Sequence, residues 1–262
     1  MRIGQQQKHS LTNASQQAFY TDLCAFYAAQ EPDLFRTLNA EQQMAFARSC
    51  HIRATEHGLR KGASIYAWAD FAILAGSHFY RDPFFRPMMA RLEQVSMFTE
   101  ADDIAQARDW LAEWLAAVRG PDNAHAADAL RKMQAFHDAY SKPADFALPA
   151  GWAPAQYCAS MCREFYPQMV EYHGDDLVLA RITEITTRAQ TYYGLTGEWH
   201  LCFMAFLGMS FGTGFDFDEL YPWIANPLQH MDKLGPEACV EKLAGRSKIW
   251  LDHVLDPKGE PA

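Results

Sequence analysis

Features that would announce a membrane protein, an exported one or a familiar class of enzyme are scarce in this sequence. Long apolar runs are missing: the two greasiest stretches, Ile65–Ala75 and Leu201–Phe211, fall far short of a membrane span, and the first is interrupted by Asp70. The stretch Met1 to Ser10 is polar and lacks the apolar core of a secretory signal, which predicts a protein of the cytoplasm. Positive charge is in deficit. With 23 Lys and Arg against 32 Asp and Glu, the formal charge is -9, so neither nucleic acid nor an anionic membrane is an expected partner, whereas a basic protein surface would be drawn in. Cysteine is scattered: Cys24, Cys50, Cys158, Cys162, Cys202 and Cys239 form no CxxC pair and no metal-ligand spacing, so free buried thiols are expected. No glycine-rich phosphate loop occurs. No run of alternating β-branched residues lies between turn signals, so no strand is predicted.

Aromatic residues, by contrast, run the whole length of the chain, and apolar residues reach 49%, enough for a packed globule. Helical periodicity organises them. Ile104, Ala107, Leu111, Trp114, Leu115 and Val118 recur at steps of three and four, opened by Thr99 with Asp102 and closed by Gly120-Pro121. Val178, Ile182, Ile185, Ala189 and Tyr192 draw the same stripe, closed by Gly194 as a left-handed cap. Asn39 with Gln42 opens a helix that runs to Gly58. The predicted fold is therefore all-α, with helices over 14–30, 40–57, 62–75, 83–95, 100–119, 123–140, 154–172, 175–193, 198–211, 219–231 and 236–255. The Pro- and Gly-rich stretch Ser141–Ala155 is the expected main linker.

An internal duplication is the most informative pattern. A shift of 136 positions carries Gly58-Leu59 onto Gly194-Leu195, Ala69 onto Ala205, Gly76 onto Gly212, Phe79 onto Phe215 and Asp82 onto Asp218. The same shift takes Leu92 to Leu228, Trp114-Leu115 to Trp250-Leu251 and Val118 to Val254. Two related helical units follow, 14–119 and 153–256, with an inserted helix and linker over 120–152.

Candidate chemistry is thin. Gly208-Met-Ser210-Phe-Gly212 matches the GxSxG pattern of serine hydrolases, which needs a strand-to-helix turn above a sheet. Here the motif lies in the last turns of a helix. Moreover, Ser210 corresponds to Leu74 whereas Gly212 corresponds to Gly76, so the glycine is what the pattern keeps. A hydrolase acting through Ser210 is disfavoured. Di-iron bundles need Glu-x-x-His, and none of the ten histidines has Glu three positions earlier. Asp216, Asp218 and Glu219 lack EF-hand spacing, and Asp218, like Asp82 before Pro83, is read as a helix cap. No metal, cofactor or catalytic residue is assigned, and the aromatic side chains are expected to fill two small cores.

The segment Tyr193-Gly194-Leu195-Thr196-x-Glu198, followed by an apolar helix and Gly212-x-x-Phe215-Asp216-x-Asp218-x-x-x-Pro222-Trp223, resembles a motif of helical proteins that accompany type VI secretion effectors. The first unit keeps Gly76, Phe79, Asp82 and Pro83, with Tyr80 where Asp is expected; in the second, Glu219 replaces the usual Pro. Together with Gly58 and Gly194, these positions are read as helix stops, buried anchors and caps, which carry fold and not mechanism. The resemblance implies a protein-binding accessory factor, either an effector chaperone or adaptor, or an immunity protein that binds a toxin. An enzyme or toxin of another type would instead show convergent polar groups in a cleft, and a helical ligand-binding protein a closed apolar cavity.

Overall fold

The computed structural model describes residues 5–96, 98–140 and 143–255, and among these the chain forms helices and turns without a strand. Met1 to Gly4 of the polar start, Ser141 and Lys142 of the expected linker, and Asp256 at the end of the second unit lie outside the described residues. No helix among them is long and apolar enough to cross a membrane.

The first half runs α1 (Gln5–Gln30), α2 (Pro32–Phe35), α3 (Ala40–Glu56), α4 (Gly62–Ala75), two 3-10 turns (Phe79–Arg81 and Pro83–Phe85), α5 (Arg86–Leu92) and α6 (Glu100–Val118). A tight turn leads into α7 (Ala124–Ala139). The second half runs α8 (Pro154–Phe165), α9 (Pro167–His173), α10 (Asp175–Tyr193), α11 (Glu198–Phe211), α12 (Pro222–Gln229), α13 (Met231–Leu234) and α14 (Pro236–Leu255). Local chemistry explains most ends. Asn39 and Gln42 form a reciprocal capping box at the start of α3, each side chain bonding the other's backbone amide at 2.9 Å. Gly194 closes α10 in the left-handed region, at φ 68°.

Several predicted boundaries are corrected. The helix expected over 154–172 is two, because Pro167 has no amide to donate and Tyr166 leaves helical geometry at φ -128°, ψ 51°. The one expected over 83–95 begins as a 3-10 turn and becomes α-helical only at Arg86, just before Pro87. The one expected over 219–231 starts at Pro222, in the first helical position where proline fits. Thr99 does precede α6, but its hydroxyl turns back to accept from the Ser96 amide at 3.1 Å instead of capping the helix.

Helices α4 and α11 are apolar nearly all round and sit at the centre, as such helices must. The first packs against α3 and α6, and the second against α8, α10 and α14. Contacts of α6 with α9, and of α10 with the Pro83–Phe85 turn, join the halves. The buried side chains form one continuous cluster from Tyr20 to Ala244, not two small cores.

Candidate functional site

The C-terminal ends of α4 and α11 meet, and most of the predicted motif residues converge there. Each helix stops at a glycine of like conformation: Gly76 at φ 92°, ψ 146°, and Gly212 at φ 92°, ψ 161°. A side chain at either would be strained by its φ, and would also be crowded, severely at Gly76 and less at Gly212. A Cβ on Gly76 would lie 2.8 Å from the Phe211 carbonyl oxygen, and one on Gly212 would lie 3.3 Å from that of Ala75. Three residues on, Phe79 and Phe215 are each 1% exposed.

Six residues after each glycine stands a buried aspartate that performs two tasks. With one oxygen it caps the following turn: the Phe84 amide donates to Asp82 Oδ1 at 3.0 Å, and the Leu220 amide to Asp218 Oδ1 at 2.9 Å. The other oxygen crosses to the opposite half. The Thr213 amide donates to Asp82 Oδ2 at 3.2 Å, and the Ser77 amide to Asp218 Oδ2 at 2.8 Å. Each aspartate thus satisfies the amide that follows the other half's glycine. The Ser77 hydroxyl adds a bond to Asp218 Oδ1 at 2.5 Å. At His78 and Gly214 the equivalence has to break, since a Cβ on Gly214 would lie 2.3 Å from that of His78.

Charge at the crossing is compensated unequally. Asp82 pairs with buried Arg181 at 2.9 Å, and that guanidinium sits 4.1 Å from the Phe84 ring centre and donates to the Gly208 carbonyl at 2.9 Å. Asp216 accepts from Arg188 and from the Tyr193 hydroxyl, both at 2.8 Å, and Arg188 also bonds the Thr213 carbonyl. Burial nevertheless raises the Asp216 carboxyl. Asp218 has no arginine, and burial pushes its carboxyl up to about 6 against the pull of its hydrogen bonds.

The remaining motif residues serve packing. Pro222 opens α12, and Trp223 stacks on Trp250 with ring centres 5.9 Å apart. Gly58, at φ 85°, ends the α3 segment, and Gly194 ends α10 directly after Tyr193. Ser210 lies within α11, where its hydroxyl donates to the Phe206 carbonyl at 3.0 Å and meets the Tyr166 hydroxyl at 2.9 Å and Met133 Sδ at 3.2 Å; none of these is a base. Among the described residues no three His, Cys, Asp or Glu side chains are grouped to hold a metal.

Arg181, Arg188 and Tyr193 were not singled out as polar partners from sequence. Arg181 did leave a signal: it interrupts the buried α10 stripe between Val178 and Ile182, where a cation requires a buried counter-charge. Beside the crossing, Gly76, Gly212 and Ser210 also line a cavity of about 270 Å³ between the halves. Comparison with known proteins finds no family model, curated protein or solved structure that matches the chain.

Proposed function

We propose that this chain is a non-catalytic protein-binding factor built from a duplicated helical unit, serving a type VI secretion effector in the cytoplasm as chaperone, adaptor or immunity protein. The observation that carries it is the full engagement of the polar motif residues: Asp82, Asp216 and Asp218 each hold at least two protein partners, and Ser210 faces no base. Side chains so occupied stabilise a scaffold. The duplication is supported by matching bounds. A shift of 136 takes α4 (Gly62–Ala75) to α11 (Glu198–Phe211) and the start of α6 at Glu100 to that of α14 at Pro236. The equal glycine φ values and the reciprocal aspartate bonds support it further. A charge of -9 favours a basic protein face over nucleic acid or an anionic membrane.

The test is co-expression with the effector encoded beside the gene, followed by size-exclusion chromatography with light scattering. A stable complex is expected. Rescue of host cells from the effector identifies an immunity protein; failure of the effector to load when the gene is deleted, without toxicity, identifies a chaperone or adaptor. Absence of any complex overturns the proposal. Ser210→Ala should bind the effector like the parent, and covalent labelling of Ser210 by a fluorophosphonate would establish a hydrolase instead.

A further inference from the structure

Helix α6 runs out at Val118, and the chain then passes Gly120, Asp122 and Asn123 at φ 73°, 50° and 58° before α7 begins. Positive φ is ordinary for glycine, but two consecutive side-chain-bearing residues there are uncommon and persist only where the surroundings enforce them. The turn is held from within: the His125 amide donates to the Arg119 carbonyl at 2.9 Å, and the His125 ring packs so close to Gly120 that a Cβ there would meet it at 2.4 Å. Arg119, the C-cap of α6 just before this turn, lines the cavity between the halves.

Two arginines face that cavity, and their situations differ. Arg181 is neutralised by Asp82 at 2.9 Å. Arg119 donates to the Leu74 carbonyl at 2.5 Å, and among the described residues it forms no ion pair with a carboxylate. Burial weakens its hold on its proton, as it does for Arg181, so the difference between the two lies in the Asp82 carboxylate that only Arg181 has. Leu74, Trp114, Phe211 and Trp250 give the cavity an apolar side, and Asn123 and Gln168 add polar groups to its lining. A partly buried guanidinium without a carboxylate partner, set beside an apolar wall, favours an anion that carries an apolar body.

We propose that this cavity binds a small monocarboxylate with an apolar body, its carboxylate paired with the Arg119 guanidinium and its body lying against the Trp114 and Trp250 side. A guanidinium has five N–H donors, of which Leu74 takes one, and its planar fork matches a carboxylate. A phosphate dianion would need a second uncompensated cation, and Arg181 is already paired. The 270 Å³ volume lies near the lower end of small-molecule pockets, which begin at about 300 Å³. The site is independent of the partner-binding role proposed above.

The test titrates the full chain with octanoate, phenylacetate, 1-octanol and inorganic phosphate, following tryptophan emission and binding heat. Octanoate or phenylacetate should bind saturably, and whichever is tighter tells an aliphatic from an aromatic body. Removing the charge should matter by at least about tenfold, the equivalent of 1.4 kcal/mol, whether by using octanol or by Arg119→Met. Arg119→Lys should fall between, and phosphate should not compete. Should Arg119→Met fail to melt cooperatively, the octanoate-to-octanol ratio on the parent chain and Arg119→Lys decides. No saturable binding of either acid below about 1 mM, a weak interaction of about 4 kcal/mol, overturns the proposal. So does octanol binding as tightly as octanoate, competition by phosphate, or an unchanged affinity in a folded Arg119→Met.

Discussion

The two glycine-ended helices that meet at the centre have the same backbone and different surroundings. After Gly76, the Tyr80 ring lies 5.8 Å from the His57 ring, with the Arg53 and Arg81 guanidinium centres 5.5 and 5.4 Å from its own. At positions 136 further on, Tyr80 becomes Asp216 and His57 becomes Tyr193, and the contact becomes a hydrogen bond of 2.8 Å reinforced by Arg188. Both members of the pair differ, yet they still touch. Behind them, Trp68, Phe71 and Phe79 form an aromatic cluster where the other half places Met204, Leu207 and Phe215. What the halves share is the set of constraints on the main chain: a glycine that a carbonyl of the other half crowds, a buried ring, and a carboxylate that reaches across.

The largest test of the comparison lies in the rings. Phe79→Ala and Phe215→Ala should each cost about 3 to 5 kcal/mol in urea unfolding, since both sites are fully buried. Phe79 should be the costlier by about 1 kcal/mol, because it also loses a tilted contact with Trp68 at 4.8 Å and an edge contact with Phe71 at 5.9 Å. Equal losses would show that the aromatic cluster of the first half adds nothing beyond burial.

Next come the carboxylates. A cap alone is worth about 1 kcal/mol, but Asp82→Ala strands buried Arg181 without its counter-ion and should cost about 3 to 5 kcal/mol. Asp218→Ala strands two amides and the Ser77 hydroxyl but no charge, and should cost about 1 to 3 kcal/mol. The reverse order would mean that Arg181 finds another partner.

A third difference is visible in pH. Asp218 has its folded value raised to about 6 from 3.8, so between about pH 4 and pH 6 the folded state holds a proton that the unfolded chain releases. Stability from this group is therefore present below pH 4 and falls as pH rises through 6, by roughly 2 to 3 kcal/mol. Asp216 is raised as well, and contributes in the same direction. Melting Asp218→Asn beside the parent from pH 4 to pH 7 isolates the effect: the difference between the two should change across that window. A constant difference would place the Asp218 carboxyl in its ordinary range.

The smallest effect separates the glycines. Gly76→Ala brings a Cβ to 2.8 Å from a carbonyl, Gly212→Ala to 3.3 Å, and both carry the left-handed penalty of about 1 kcal/mol. Gly76→Ala should melt lower, and a reversed order would show that the Gly212 side is the less able to yield.

How much of this was legible in the sequence follows from how local each determinant is. The α6 and α10 stripes, the Asn39 box and the glycine stops are written within a few residues of where they act, and periodicity and cap chemistry expose them. Asp82 and Asp218 were legible as caps for the same reason. Their second bonds join residues 131 and 141 positions apart, and no local pattern encodes which loops will meet. The continuous core escaped prediction likewise, because periodicity tells which face of a helix is buried and not against what. Pro167 was visible all along, and the break it makes in the expected 154–172 helix follows from its missing amide.

The crossed aspartates also set an order of events during synthesis. Ser77 leaves the ribosome 141 residues ahead of Asp218, an interval of roughly 7 to 30 s at ordinary elongation rates. Through that interval the Ser77 amide lacks its carboxylate partner, and the C-terminal end of α4 lacks the α11 end that will meet it. The nascent first half is therefore an incomplete object, open to chaperones and proteases, until the second half delivers the carboxylate that closes it. Chain cleavage between the halves, or a translational pause in α7, should lengthen that exposure and lower yield without altering a single contact of the finished protein.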